Sequence, residues 1–126
     1  MNSNRLIFIV DDDDMYTEML STHLSSNPRN TIMSYSTGED CLKNLYNEPQ
    51  IIILDYNLNM IHKDAANGMK ILEQIKKQNS KTRVIMLSSQ EQYGVALRTI
   101  SKGAEQYVIK DEKAFKNIDD IINVTI

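Results

Sequence analysis

Three aspartates stand directly after apolar segments, at positions where their carboxylates could act together. Asp11 and Asp12 follow residues 6–10, and Asp55 follows residues 51–54. Like charges roughly 4 Å apart repel by about 4 kcal/mol at an effective dielectric constant near 20, so three adjacent carboxylates need a cation or a raised pKa. Mg²⁺ binds carboxylates while keeping room for a phosphate oxygen. We therefore predict a Mg²⁺ site formed by Asp11, Asp12 and Asp55.

Further polar residues stand at the ends of the other apolar segments. Ser88 carries a hydroxyl that can donate to a phosphoryl oxygen, and Lys110 carries an ammonium that can neutralise developing charge. Asn57, two residues after Asp55, can offer its backbone carbonyl as a further Mg²⁺ ligand. These residue types together predict chemistry on a phosphoryl group.

The elements that would position these groups are five predicted strands alternating with amphipathic helices. The strands are expected at residues 6–10, 31–36, 51–54, 83–87 and 106–109. The alternation predicts an α/β fold: one doubly wound (βα)₅, flavodoxin-like domain with a five-stranded parallel sheet in the order 2-1-3-4-5. The first, third and fourth strands are almost entirely apolar and should be central. A crevice should then open beyond Val10 and Leu54, where the aspartates lie.

Local signals predict where some helices begin and end. Ser36 with Glu39 three residues later resembles a capping box for the second helix, and Asp13 or Asp14 suits the N-cap of the first. Gly103 suits the end of the fourth helix. We expect the chain to turn at these residues.

Length and charge limit the classes of function. A chain of 126 residues with 41% hydrophobic and 25% charged residues has the size of one domain, expected to span residues 1–126. The net charge of -3 lacks the basic excess of nucleic-acid-binding domains, so we predict no direct nucleic-acid binding.

Cys41 is the single cysteine, which excludes an internal disulfide. No apolar run suits a signal peptide or a membrane span, and we expect a cytoplasmic protein that does not bind membranes.

Four motifs in this order resemble those of the response-regulator receiver family of two-component signal transduction, including the chemotaxis regulators. They are IVDDDD at 9–14, LDYN at 54–57, MLSS at 86–89 and YVIK at 107–110. The resemblance covers essentially the whole chain. It implies a phosphoacceptor domain that catalyses only its own phosphorylation and dephosphorylation, with Mg²⁺ as cofactor.

The resemblance also implies a role for each matching residue. Asp11 and Asp12 would be the acidic pair, and Asp55 would be the phosphoacceptor. Ser88 would be the switch hydroxyl, and Lys110 would bind the phosphoryl group.

The implied switch and partners involve three more positions. Tyr107 would be the switch aromatic, and Asn57 and Gln90 would influence the lifetime of the acyl phosphate. The phosphoryl donor would be a histidine kinase or a histidine phosphotransfer protein. The face built from the fourth helix, fifth strand and fifth helix would change shape and contact a second copy of the chain or an output domain.

Two features depart from the family pattern. The stretch from Asp55 to Gly68 covers 68 − 55 = 13 positions, more than the family usually has, and we predict that residues 58–67 modify access to Asp55 or form partner surface. Lys110 is followed by Asp111, where the family usually has a cis-bonded proline. A cis bond without proline costs about 2.5–4 kcal/mol. Either the fold supplies that energy, or the bond is trans and Lys110 reaches the site differently.

Two other functions remain open on the sequence. A degenerate receiver that only binds proteins would fit the altered step after Lys110. A Mg²⁺-dependent phosphatase with Asp55 as nucleophile fits less well, because Asn57 stands where such enzymes often carry a second acid.

Overall fold

The computed structural model describes residues 4–59, 66–89 and 91–124, and within these ranges strands alternate with helices. The strands are β1 Arg5–Val10, β2 Asn30–Tyr35, β3 Ile51–Asp55, β4 Arg83–Ser88 and β5 Gln106–Ile109. The helices are α1 Asp14–Ser25, α2 Gly38–Lys43, α3 Gly68–Gln78, α4 Tyr93–Ser101 and α5 Ala114–Asn123, with a short 3₁₀ helix at Leu45–Asn47. None of the described helices is long and apolar enough to cross a bilayer.

The sheet confirms the predicted topology. Its strands are all parallel and lie in the order β2-β1-β3-β4-β5. Val10 pairs with Leu54, and Leu54 pairs with Met86, so the carboxyl ends of the three central strands are level with one another. The chain reverses its direction of progress between β1 and β3, which opens a crevice at their carboxyl ends.

Two apolar layers cover the sheet, one on each face. Phe8 and Val10 of β1 pack in a cluster with α2 and α3, whereas Ile7 and Ile9 pack in a second cluster with α1 and α5. β3 is buried along its whole length. Burial on both faces explains why the central strands read as continuous apolar runs.

Two of the predicted helix boundaries are confirmed. Asp13 is the N-cap of α1, and its carboxylate accepts a hydrogen bond from Tyr16 N at 3.1 Å. Gly103 follows α4 with φ of 112°, a left-handed conformation that glycine adopts without a steric penalty.

The predicted capping box at the second helix is wrong. Thr37, not Ser36, is the N-cap of α2, and its hydroxyl accepts a hydrogen bond from Asp40 N at 3.2 Å. The Glu39 carboxylate accepts from Ala66 N at 3.0 Å instead of bonding to the cap. Ser36 and Thr37 are adjacent hydroxyl residues that could each cap the helix, and the structure uses Thr37.

Candidate functional site

Three buried carboxylates meet at the crevice. Asp11 and Asp12 directly follow β1, and Asp55 is the last residue of β3, the neighbouring strand. Their exposed fractions are 1%, 7% and 3%. One oxygen from each side chain lies within 4.8 Å of the others. The structure therefore brings together the residues that the sequence predicts as metal ligands.

Backbone N–H groups hold two of these carboxylates in place. Asp13 N donates to Asp11 Oδ1 at 2.9 Å, and Asn57 N donates to Asp55 Oδ1 at 3.1 Å. Both bonds join residues two positions apart, so the chain turns back on the side chain as it leaves the strand. The bond from Asn57 N favours the ionised form of Asp55.

Lys110 points its ammonium into the same pocket. Its Nζ lies 2.9 Å from Asp11 Oδ2 and 3.8 Å from Asp55 Oδ1, and the lysine side chain is 14% exposed. Within the described residues Asp11 Oδ2 has no hydrogen-bond partner, so this short contact is an ion pair without hydrogen-bond geometry. Lys110 thus lies within reach of any group bound to Asp55.

The peptide bond after Lys110 is trans, because no cis peptide occurs among the described residues. This decides between the two alternatives that the sequence leaves open for the step to Asp111. The backbone N of Lys110 donates to Ser88 O at 2.8 Å, which continues the pairing of β4 with β5 by one residue. Lys110 reaches the pocket from this position without a cis bond.

The environment of Asp55 disfavours its negative charge. Burial, followed by the neighbouring Asp11 carboxylate, raises the pKa of Asp55 to about 7, although the Lys110 ammonium and the Asn57 N–H act in the opposite direction. A carboxyl with such a pKa is poised between its two states near neutral pH. A nearby cation would shift it towards the ionised form.

The donor set suits a hard divalent cation. Oxygen ligands from carboxylates are those that Mg²⁺ prefers, and the trio offers more negative charge than one ammonium can balance. The residues therefore fit Mg²⁺ as the bound ion. The predicted contribution of the Asn57 carbonyl stays a prediction.

Ser88 lies at the carboxyl end of β4, the strand next to β3, and Tyr107 lies on β5. Ser88 is the last residue of β4 and is 1% exposed, and Leu87 before it pairs with Asp55 on β3. Tyr107 pairs with Met86 and is half-buried against the cluster that also contains α3. Their roles as switch residues stay predictions. Gln90, predicted to affect the lifetime of the acyl phosphate, lies outside the described residues.

The predicted loop at 58–67 is described only at its two ends, since residues 60–65 lie outside the described ranges. Leu58 is fully buried at one end. At the other end Asn67 caps α3, and its side chain accepts from Lys70 N at 3.1 Å. The role of the loop stays a prediction.

The sequence reasoning missed Tyr16, in the first turn of α1. Lys110 Nζ lies 4.6 Å from the centroid of its ring. Burial, followed by the nearby carboxylates with Asp11 foremost, raises the pKa of the phenol to about 12, so the hydroxyl stays protonated. The signal that could have found it is the N-cap at Asp13, because a helix starting there begins beside the acidic pair.

Comparisons with known sequences point to one family. A model of the response regulator receiver domain matches residues 7–123. The Regulator of RpoS of Escherichia coli (strain K12) is 26% identical over 117 residues, which cover 92% of this chain and 33% of that protein. The Chemotaxis protein CheY of Listeria monocytogenes is 26% identical over 110 residues, covering 86% of this chain and 87% of that protein. The chain thus spans about a third of the length of the Escherichia coli relative.

Solved structures show the same fold. The receiver domain of the Francisella response regulator 1452 superposes with a TM-score of 0.80 at 22% identity, covering 95% of this chain and 94% of that one. A CheY-like receiver domain protein from Methanospirillum hungatei JF-1 gives a TM-score of 0.82 at 21% identity, with 95% and 92% covered. Because the family match extends over 123 − 7 + 1 = 117 of the 126 residues, the chain belongs to the response regulator receiver domain family, the signalling domains of two-component systems.

Proposed function

We propose that this domain accepts a phosphoryl group onto Asp55 from a phosphohistidine of a histidine kinase or histidine phosphotransfer protein, with Mg²⁺ as cofactor. The observation that carries the proposal is the buried trio Asp11, Asp12 and Asp55, whose ligand oxygens lie within 4.8 Å, beside the Lys110 ammonium. Membership of the receiver family supports it. We further propose that residues 1–126 act as one receiver domain.

The transfer is a displacement at phosphorus. A carboxylate oxygen of Asp55 attacks the phosphorus atom, forming an O–P bond while the P–N bond to the donor imidazole breaks. The imidazole nitrogen leaves with the bonding electron pair and is protonated. Asp55 must be ionised to attack, a state that Lys110 and the Asn57 N–H favour. Water later attacks the phosphorus atom of the acyl phosphate and the bond from phosphorus to the Asp55 oxygen breaks, which releases inorganic phosphate and returns the free carboxylate.

Each neighbouring group has a part in this proposal. Asp11, Asp12 and Asp55, with the backbone carbonyl of Asn57, would hold Mg²⁺, which when bound would neutralise charge on the phosphoryl oxygens. The Lys110 ammonium would pair with one of these oxygens, and the Ser88 hydroxyl would donate to another. The buried setting makes such contacts stronger than they would be in water.

The output would come from β4 and β5. Ser88 would move towards the phosphoryl group and Tyr107 would turn inward, which would reshape the face formed by α4, β5 and α5. That face would contact a second copy of the chain or an output domain. Asn57 and Gln90 would tune the lifetime of the acyl phosphate, and residues 58–67 would affect access to Asp55 or contact partners.

A mass measurement tests the proposal. The purified domain is incubated with Mg²⁺ and a small phosphodonor, and the expected product carries one phosphoryl group, stable in acid and labile in base. Asp55→Asn should remove this gain completely. Asp14→Asn is the matched control, because Asp14 is an exposed aspartate in the first turn of α1 and should leave the gain intact.

The same assay separates the alternatives. Slow, stoichiometric gain that depends on Asp55 supports the receiver function. The absence of any gain in the unaltered chain would instead indicate a degenerate receiver that only binds proteins. Rapid hydrolysis of the donor over many turnovers would indicate a phosphatase.

A further inference from the structure

The contact between Tyr16 and Lys110 lies at the edge of the acidic pocket. The ammonium Nζ is 4.6 Å from the ring centroid, well inside the roughly 6 Å range of cation–π attraction. The lysine side chain is only 14% exposed, so water competes weakly for the ammonium. A partly desolvated contact of this kind is stronger than one on an open surface.

Lys110 needs such a contact to fix the end of a long side chain. Its ammonium contacts the carboxylates of Asp11 and Asp55 and the ring of Tyr16. Both carboxylates would exchange partners when a cation or phosphoryl group binds. The Tyr16 ring is neutral and would keep its contact with the ammonium, so it can hold Lys110 both before and after a cation or phosphoryl group binds.

The side chain of Tyr16 lies where α1 packs against α5. Its ring meets Phe115 of α5 edge to face, with centroids 5.8 Å apart and an interplanar angle of 76°. Phe115 in turn packs against His23, with ring centroids 5.1 Å apart, and His23 Nε2 lies 2.7 Å from Asp119 Oδ2. Contacts between α1 and α5 therefore hold the ring in place.

The tyrosine hydroxyl does not explain the placement of this side chain. It is buried and has no hydrogen-bond partner within the described part of the chain. A hydroxyl kept for structure would be expected to make a hydrogen bond. The ring, by contrast, contacts both Lys110 and Phe115.

We propose that Tyr16 is a positioning residue for phosphoryl transfer, whose ring holds the Lys110 ammonium in place to meet the phosphoryl group. This inference rests on the proposed phosphorylation of Asp55. Tyr16 acts only through Lys110 and does not touch the reacting atoms. Removal of the Tyr16 ring should therefore slow phosphorylation only when Lys110 is present.

The first test compares rates of phosphorylation by a small phosphodonor with Mg²⁺. Tyr16→Leu removes the ring and is expected to slow phosphorylation about 5- to 10-fold, in keeping with a partly desolvated cation–π contact. Tyr16→Phe keeps the ring and should restore most of the rate. Tyr46→Leu is the matched control, since Tyr46 is 78% exposed and lies in the 3₁₀ helix before β3. A Tyr16→Phe variant as slow as Tyr16→Leu would overturn the proposal.

A double-mutant cycle tests whether Tyr16 acts through Lys110. In a Lys110→Met background, Tyr16→Leu is expected to cause no further slowing. An equal loss in both backgrounds would refute the link to Lys110.

A nuclear magnetic resonance readout does not depend on phosphorylation. Lys110 Hε resonances should be shifted upfield by the ring in the unaltered chain and in Tyr16→Phe, and should move towards ordinary lysine values in Tyr16→Leu. Unchanged resonances in Tyr16→Leu would overturn the contact itself. If the contact is present but Asp55 is never phosphorylated, both the role of Tyr16 in transfer and the proposed function are wrong. If Asp55 is phosphorylated but Tyr16→Leu slows the reaction equally with and without Lys110, only the inference about Tyr16 is wrong.

Discussion

At the scale of single residues, the charge of Asp55 connects the chemistry of the site with the stability of the fold. Burial and the neighbouring Asp11 raise its pKa from 3.8 to about 7. Between these two pH values the folded chain keeps a proton that the unfolded chain has released. The stability contributed by the protonated carboxyl is therefore complete below about pH 4 and is lost as the pH rises through about 7.

This linkage predicts a pH-dependent difference between the unaltered chain and Asp55→Asn. In Mg²⁺-free buffer, the free energy of unfolding of the unaltered chain should fall relative to the variant between pH 4.5 and 8, by on the order of 2 kcal/mol. Urea unfolding at several pH values measures it. Saturating Mg²⁺ should reduce the fall, because a bound cation favours the ionised carboxylate.

Asp14→Asn is the control for this profile, because Asp14 is exposed in the first turn of α1. Its stability should follow that of the unaltered chain over the same pH range. Parallel profiles for the unaltered chain and Asp55→Asn would contradict the argument that Asp55 carries the linked proton.

At the scale of elements, the start of α3 packs against the backbone that follows β3. A Cβ on Gly68 would overlap the carbonyl oxygen of Asp55 and lie 2.7 Å from Tyr56 Cα. Gly68 N also donates to Tyr56 O at 3.0 Å. Because the obstructing atoms are backbone, they cannot move aside as a flexible side chain can. The glycine is what allows α3 to begin so close to the end of β3.

Gly68→Ala should therefore destabilise the fold by about 1–3 kcal/mol, the usual range for overpacking. Urea unfolding measures the loss, and the rate of phosphorylation should fall as well because Asp55 O is displaced. Gly94→Ala is the control, since nothing lies within 4 Å of a Cβ there. That variant should keep its stability or gain up to about 1 kcal/mol. Similar effects at both glycines would contradict the packing argument.

At the level of elements, the sequence predicted those features that burial alone determines. The apolar runs predicted each strand to within about one residue, and the residues after them predicted the acidic trio, because strand ends meet at one edge of a parallel sheet. The cap at Thr37 was missed because the adjacent Ser36 and Thr37 offer the same capping group, and Glu39 bonds to the distant Ala66 and not to the cap. The trans step after Lys110 could not be decided in advance, since its cost depends on tertiary packing.

Tyr16 shows a second limit of the sequence. Its position in the first turn of a helix is readable, but contact with Lys110 depends on how α1 is rotated against the sheet. That rotation is set by packing in the cluster that α1 shares with α5. The N-cap at Asp13 places Tyr16 near the acidic pair, but no local pattern shows that its ring contacts Lys110, which lies near the other end of the sequence.

At the scale of the whole molecule, α4 presents an apolar stripe next to β5. Tyr93, Leu97 and Ile100 are spaced as neighbours on one side of the helix, and they are 80%, 70% and 46% exposed. The stripe belongs to the face that we propose to change on phosphorylation. Exposed apolar side chains grouped in this way are typical of protein contact surfaces.

We expect phosphorylation to increase self-association through this stripe, and Leu97→Asp to weaken it at least tenfold. Burial of one leucine contributes roughly 1.5–3 kcal/mol, and each 1.4 kcal/mol corresponds to a factor of ten in Kd. Sedimentation velocity with Mg²⁺ and a small phosphodonor measures the dissociation constant. Tyr46→Asp is the control, because Tyr46 is also highly exposed but lies in the 3₁₀ helix before β3 and not on α4. Association that survives Leu97→Asp but is lost in Tyr46→Asp would contradict the assignment of the contact surface to α4.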